Sequence, residues 1–201
     1  MRLILVRHAE TDWNAEGRIQ GRADIPLNTK GLRDAANWQL PSSLLGAKWF
    51  TSPLIRARET ACKMGLDADP EPRLVEMDWG EWEGEKLASL RARPGGTMAA
   101  NEAKGLDFLP PGGESPRMVQ TRVRPWLNIL PDLGGDIGAV THKGVIRAIV
   151  ALAAGWDMTG EPPARVSSGT AQVISVTVAG SMAIEAADVI LGEEAYSDAI
   201  D

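Results

Sequence analysis

Short apolar runs alternate with amphipathic stretches along most of the 201-residue chain. Four of these runs have the length and composition of buried strands, and they cover residues 3–6, 47–52, 73–77 and 137–142. Two further runs near the end, 170–178 and 181–188, predict two more strands that can pair as a hairpin. Strands that alternate with helices favour an α/β layered fold with a largely parallel sheet, and the length fits one domain, 1–201.

Capping residues and prolines mark the helices between these strands. Thr29 can cap a helix, and the pairs Ser52-Pro53 and Ser115-Pro116 each place a cap residue before a proline at the first helical position. We therefore predict helices over five segments, 29–40, 53–64, 85–93, 116–130 and 144–156.

Two turns rich in proline and glycine, at 94–96 and 110–113, bracket a segment whose composition shows no clear pattern. We expect this segment, about residues 91–113, to lie over the site as a mobile flap. The last residues, about 193–201, are acidic and are expected to form a loose tail.

Composition excludes several classes of protein. The net charge of -6 and the pI of about 5.1 argue against a nucleic-acid binder held by bulk charge. The longest late apolar run, 148–154, is too short to cross a membrane, and the start of the chain lacks a signal-peptide core. The single cysteine, Cys62, forms no internal disulfide, so we expect a protein of the reducing cytoplasm.

Charged and polar residues cluster in the sequence where the predicted strands end. Arg7 and His8 follow the first strand, His142 ends the fourth, Glu76 lies near the end of the third, and Arg56 lies early in the helix after the second. In parallel sheets ligands bind outside the carboxyl ends of the strands. The topology therefore predicts that these five residues meet at one edge of the sheet.

Such a cluster suits the transfer of a phosphoryl group. Guanidinium groups match phosphate oxygens bidentately, and a neutral imidazole beside positive charge can attack phosphorus. A neighbouring carboxyl group can protonate the leaving oxygen and later activate water. With two arginines and a second histidine to stabilise charge, this chemistry needs no metal or other cofactor.

Four motifs occur in the order found in a known family. The segments are "LVRHAETDWNAEGRIQG", "TSPLIRARET", "LVEMDWGEWEG" and "VTHKGVIRA", and "PPGGES" precedes the helix that begins near residue 116. Together they resemble the histidine phosphatase superfamily, in the branch of phosphoglycerate mutases and small phosphatases. The resemblance implies a three-layer α/β/α sandwich whose mostly parallel sheet has one antiparallel edge strand.

The resemblance also implies a role for each matching residue. His8 is the nucleophile that becomes phosphorylated, Glu76 is the general acid and base, and three residues hold the phosphoryl group, namely Arg7, Arg56 and His142. A further three line the path by which substrate enters, namely Asn14, Gln20 and Gly21. Two positions depart from the family pattern, because Ala9 replaces the usual glycine and Lys143 replaces a smaller residue.

Alternatives remain for individual residues. Glu81 and Glu83 compete with Glu76 as the acid, and Lys143 either contacts substrate or points to solvent. A zinc site on His8 and Glu10 lacks ligands at the required spacing.

The first loop, "RIQGRADIPL", resembles the first loop of the small phosphatases more than that of the mutases. The mutases of the family tend to be longer chains with a Gly-Trp pair in this loop. We therefore predict a phosphomonoester hydrolase that acts on a small phosphorylated metabolite. Three alternatives stay open: a phosphoglycerate mutase, an α-ribazole phosphatase, and an inactive family member that serves as a binding protein. The sequence names neither the substrate nor the oligomeric state, and a homodimer is compatible with it.

Overall fold

The computed structural model describes residues 1–94 and 97–192, with the backbone alone at Thr97. It contains six strands, β1 Arg2–Arg7, β2 Lys48–Thr51, β3 Ala68–Pro70, β4 Ile137–Thr141, β5 Thr170–Val176 and β6 Met182–Ile190. The α-helices of the described residues are α1 Asp12–Ala15, α2 Thr29–Asn37, α3 Ile55–Lys63, α4 Leu87–Arg91, α5 Thr97–Glu102, α6 Pro116–Leu133 and α7 Lys143–Ala154. No helix among the described residues is long and apolar enough to cross a membrane.

The strands form one sheet in the order β3-β2-β4-β1-β5-β6. Strand β4 pairs in parallel with β1 and β2, and β2 pairs in parallel with β3. Strand β5 is antiparallel to both β1 and β6. The mixed, mostly parallel sheet and the terminal hairpin are confirmed, although the reversed strand lies one place inside the edge rather than at it.

Both faces of the sheet are covered, as the continuous apolar run in β1 requires. Leu3 and Leu5 pack in the larger core, which α6 and α7 complete. Ile4 and Val6 face the other way, into a second core that Ala57 and other residues of α3 join. The layers are therefore α/β/α, and the carboxyl ends of β1, β2 and β4 open at one edge.

The predicted third strand at 73–77 is wrong. The third strand is β3, and residues Pro72–Leu74 form a 3-10 turn followed by loop. This buried loop needs no strand partner because side chains satisfy its carbonyls: Arg122 donates to Arg73 O and Val75 O, and Thr141 Oγ1 donates to Leu74 O.

One predicted helix start agrees with the structure, and two differ from it. Ser115 caps α6 as expected and Pro116 follows it, whereas α3 begins only at Ile55, after Leu54. The cap of α2 is Asn28 rather than Thr29, because the Asn28 side chain accepts from Gly31 N at 2.8 Å. Of the predicted flap, α5 and a 3-10 turn at Gly105–Asp107 are described, and the predicted loose tail, 193–201, lies outside the described residues.

Candidate active site

A cavity of about 850 Å³ lies between the carboxyl end of β1 and the start of α7, the helix that follows β4, and His142 is not among the residues that line it. Three of the predicted reacting and phosphoryl-holding residues line it, namely Arg7, His8 and Glu76. His8 follows β1 directly, and its backbone N–H donates to Thr141 O at 2.9 Å. This hydrogen bond fixes the turn that follows β1 against the end of β4.

The His8 ring has one nitrogen committed to the protein. Nδ1 lies 2.7 Å from Ala9 O, and a carbonyl only accepts, so Nδ1 carries the proton. Nε2 is then left with its lone pair. Burial, followed by the positive charges of Arg7 and Arg56, lowers the pKa of His8 well below 6.5. The ring is therefore neutral at physiological pH, which is the state a nucleophile requires.

Ala9 takes an ordinary backbone conformation, since Met158 and Asp188 are the non-glycine residues with positive φ in the described chain. Its N–H donates to Thr60 Oγ1 at 3.0 Å, which anchors the turn to α3. The departure from glycine at this position therefore introduces no strain.

His142 lies beside His8, with 5.1 Å between the ring centroids. Its Nε2 is 2.7 Å from the hydroxyl of Ser52, and the same hydroxyl oxygen accepts from Leu54 N at 3.3 Å. With the Ser52 hydroxyl as the donor to Nε2, the proton of the neutral His142 ring lies on Nδ1. That buried nitrogen has no partner among the described residues. Burial, together with the charge of Arg56, lowers the pKa of His142 well below 6.5, so it is a neutral donor.

Arg56 is fully buried near the two histidines and is not among the residues that line the cavity. Its Nη1 donates to Ala23 O at 2.8 Å and its Nη2 to Gly21 O at 2.7 Å. Its Nε, like that of Arg7, is buried without a partner in the described part of the chain. Burial lowers the pKa of both guanidinium groups, and an arginine keeps its charge at neutral pH.

Glu76 is buried where the loop after Leu74 meets the start of α7. Its Oε1 accepts from Met77 N at 2.8 Å and its Oε2 from Gly144 N at 3.2 Å. Burial raises the pKa of Glu76, and the two hydrogen bonds and the charge of Arg56 oppose that rise. A Cβ at position 144 would lie 2.5 Å from Glu76 Oε1, so a larger residue there would displace this carboxylate.

The two rival carboxylates occupy other places. Glu81 is exposed and does not line the cavity. Glu83 accepts from Arg22 N at 2.8 Å and from Ala23 N at 2.5 Å. It therefore holds the loop at 21–23 whose carbonyls bind Arg56.

Two of the three residues predicted to line the path of substrate lie at the cavity. Asn14 and Gln20 line the cavity. Gln20 Oε1 accepts from Thr11 Oγ1 at 2.9 Å, and its buried Nε2 has no partner within the described residues. Gly21 is not among the residues that line the cavity, and its carbonyl instead orients Arg56.

Sequence reasoning missed several residues that support or extend the site. Ser52 was interpreted as a helix cap, although its hydroxyl orients His142. Arg122 on α6 binds Glu114 at 2.8 Å and holds the loop that carries Glu76. The place of Glu114 in the motif "PPGGES" is a sequence signal that could have identified this residue. No comparable feature of the sequence marks Arg122. Lys143, whose role the sequence leaves open, and Arg147, to which it assigns none, also line the cavity.

Comparisons with known proteins agree with this geometry. The family model of the histidine phosphatase superfamily, branch 1, matches residues 3–184. A 2,3-bisphosphoglycerate-dependent phosphoglycerate mutase of Methylobacterium radiotolerans is 33% identical over 181 residues, which cover 83% of this chain and 85% of the relative. The chain belongs to the histidine phosphatase superfamily.

Other relatives include phosphatases. A glucosyl-3-phosphoglycerate phosphatase of Mycobacterium tuberculosis is 33% identical over 169 residues, covering 75% of this chain and 74% of that protein. The solved mycobacterial glucosyl-3-phosphoglycerate phosphatase in complex with VO3 has a TM-score of 0.78 at 25% identity, covering 94% of this chain and 98% of that one. A solved protein of Thermus thermophilus has a TM-score of 0.71 at 32% identity, covering 96% and 100%. The chain is therefore a phosphatase or mutase of the class that acts through a phosphohistidine.

Proposed function

We propose that the chain is a metal-independent phosphomonoester hydrolase that acts on a small phosphorylated metabolite. The observation that carries the proposal is the His8 ring: Nδ1 is bound to Ala9 O, and the neutral ring leaves Nε2 free in a cavity edged by cations. Nε2 attacks phosphorus, a P–N bond forms, and the bond from phosphorus to the leaving oxygen breaks.

The remaining groups have complementary roles in this reaction. Arg7, Arg56 and the Nδ1–H of His142 stabilise the charge on the phosphoryl oxygens. Glu76 in its protonated form gives its proton to the leaving oxygen. A water then attacks phosphorus, its proton passes to Glu76, and the P–N bond breaks to release phosphate and restore His8.

Metal independence is supported by the residues themselves. Two guanidinium groups and a neutral histidine donor supply the charge stabilisation that a divalent ion provides in other phosphoryl-transfer enzymes. Within the described residues, no group of three or more metal-ligating side chains lies together.

A mutase is the second candidate, because several relatives carry that name. The length of the chain does not separate the two, since the match covers similar shares of this chain and of the mutase from Methylobacterium. The first loop, "RIQGRADIPL", favours the phosphatase. An inactive binding protein is disfavoured because the nucleophile, the acid and the cations are all present. The cytoplasmic location and the homodimeric state remain predictions.

The test is turnover of p-nitrophenyl phosphate and of a panel of phosphorylated metabolites in the presence of a strong chelator. We expect release of inorganic phosphate without a second phosphorylated product, and rapid quenching should trap an acid-labile, alkali-stable phosphoenzyme. A folded His8→Ala variant should release no inorganic phosphate and form no phosphoenzyme. Near-wild-type turnover by that variant would refute the role of His8, transfer to a second hydroxyl would establish the mutase, and activity restored only by a divalent ion would refute metal independence.

A further inference from the structure

Arg122, on α6, binds the loop that carries Glu76 although it does not line the cavity. Its Nη1 donates to Arg73 O, and its Nη2 donates to Val75 O at 2.7 Å. Val75 directly precedes Glu76, so the second of these carbonyls belongs to the peptide unit that ends at the Glu76 nitrogen. A displacement of Arg122 therefore moves the backbone from which the Glu76 carboxyl group extends.

Glu114 binds both this arginine and the far end of the same loop. Its carboxylate accepts from Arg122 Nε at 2.8 Å and from Arg122 Nη2 at 3.1 Å, a bidentate arrangement that fixes the plane of the guanidinium group. Its Oε2 also accepts from Asp78 N at 3.4 Å, and its own N–H donates to Asp78 O at 2.8 Å. Glu76 thus lies between two points of the chain, residues 73–75 and residue 78, that this ion pair holds.

The pair of Arg122 and Glu114 is mostly buried, with 19% and 9% of the two side chains exposed. The pair of Arg117 and Asp107, whose arginine lies on the same helix, exposes 56% and 60%. Burial of an ion pair costs desolvation free energy and adds little net stability. The place of the buried pair is therefore better explained by the loop that it positions than by a contribution to folding.

The charge of Arg122 also acts on the carboxyl group of Glu76. Burial raises the pKa of Glu76, and positive charge opposes that rise. Cations from β1, α3, α6 and α7 act on this carboxyl group, namely Arg7, Arg56, Arg122 and Lys143. The two site histidines are neutral and add no charge. Because Glu114 carries the charge that compensates Arg122, the pair perturbs Glu76 less than Arg122 alone would.

We propose that Arg122 and Glu114 are positioning residues for the general acid: they hold the Glu76 carboxyl group at the leaving oxygen, and their mutual neutralisation limits the charge that acts on it. The proposal rests on the proposed function, in which Glu76 protonates that oxygen. Neither residue lines the cavity, so both act through Glu76 and take no part in bond making.

The first test measures proton donation as the ratio of kcat/KM for glycerol 3-phosphate to kcat/KM for p-nitrophenyl phosphate, whose leaving group needs little protonation. In Arg122→Gln this ratio should fall about 10- to 100-fold, because a displacement of about 1 Å can cost that much. In a Glu76→Gln background the same change should lower the ratio no further. Arg117→Gln removes the exposed arginine of α6 and is the matched control, which should leave the ratio unchanged.

A second measurement observes Glu76 without turnover. Carboxyl-carbon NMR of protein labelled at its glutamates follows their titration, and the signal that disappears in Glu76→Gln identifies this residue. Glu114→Gln removes the compensating charge of Arg122, so the pKa of Glu76 should fall. Asp107→Asn leaves Arg117 without its carboxylate in the same way and should not change the pKa of Glu76.

The outcomes separate this proposal from the proposed function. If Arg122→Gln slows both esters equally, or changes the ratio no more than Arg117→Gln does, the positioning role is refuted while the hydrolase stands. If Arg122→Gln does not fold, Arg122→Lys keeps the charge but cannot bind Glu114 and both carbonyls together; its ratio should fall to a smaller extent, and an unchanged ratio would refute the role.

If no ester is hydrolysed, or if Glu76→Gln itself leaves the ratio unchanged, the proposed function is wrong and the titration decides whether the pair controls this carboxyl group. A pKa of Glu76 that is the same in Glu114→Gln and in the wild-type protein would then refute the inference.

Discussion

Replacement of Glu76 by glutamine separates the proton-donor role of the carboxyl group from its structural role. The carboxylate accepts from two backbone N–H groups, Met77 N and Gly144 N. An amide has one acceptor oxygen, so one of these donors loses its partner in Glu76→Gln. Leaving that N–H group without an acceptor costs about 1–3 kcal/mol of free energy. This cost is the same whichever substrate is bound.

Loss of the proton acts differently, because it depends on the leaving group. An alkyl alcohol needs protonation as it departs, whereas an aryl phenolate needs little. General acid catalysis contributes about 10²- to 10⁴-fold, which corresponds to about 2.7–5.5 kcal/mol of barrier. We therefore expect kcat/KM, which reports the steps up to departure of the leaving group, to fall by that factor for glycerol 3-phosphate and far less for p-nitrophenyl phosphate.

The assay measures kcat/KM for both esters in Glu76→Gln and in two matched controls. Glu83→Gln weakens the loop that holds Arg56, so it should slow both esters by a similar factor. Glu81→Gln alters an exposed side chain and should change neither rate. If Glu83→Gln shows the dependence on leaving group and Glu76→Gln does not, Glu83 is the acid. If neither variant shows it, leaving-group protonation does not limit the reaction and the role given to Glu76 is wrong.

Three further predictions concern the histidines and the core. Ser52→Ala removes the donor to His142 Nε2 and should lower kcat for p-nitrophenyl phosphate about 10- to 100-fold; an unchanged kcat would show that Ser52 does not orient the ring. Because the pKa of His8 is lowered below 6.5 in the folded protein, the unfolded chain binds a proton first as pH falls. The free energy of unfolding, measured with urea, should therefore be highest above about pH 6.5 and decline below it by up to about 1.4 kcal/mol per pH unit for that histidine. A stability that does not change with pH would contradict the buried neutral state of His8. Leu130→Ala should cost about 2–5 kcal/mol of unfolding free energy, against little for the exposed Leu133→Ala, and equal losses would contradict the assigned packing of α6.

Much of the fold follows from patterns that act locally. The continuous apolar runs in β1 and β4 are visible because both faces of those strands are covered. The Ser115 cap is visible because hydroxyl, proline and amphipathic helix occur in sequence order. The loop that carries Glu76 escaped prediction because its apolar residues resemble a strand, while the groups that satisfy its backbone come from Arg122, far away in sequence.

The site shows the same division. His8 and His142 could be placed from the strands that precede them. Ser52 could not, because its hydroxyl had a local interpretation as a helix cap, and its contact with His142 spans 90 positions in sequence. The pairing of Arg122 with Glu114 likewise depends on which carboxylate the fold brings near the arginine, and composition carries no such information.

The partners that hold Arg56 explain how a buried guanidinium keeps its charge beside His8. Had a carboxylate bound it directly, the pair would be close to neutral and would attract a phosphoryl group weakly. Arg56 instead donates to two carbonyls, Gly21 O and Ala23 O, which fix its orientation while adding no net charge. The carboxylate of Glu83 is bound to the N–H groups of Arg22 and Ala23 instead, so its charge lies one peptide unit away. Glu76 is likewise oriented by backbone N–H groups rather than by a cation. Neutral backbone partners therefore position both charges, and in the reaction we propose the positive potential at His8 is preserved for the oxygens of the transferred group.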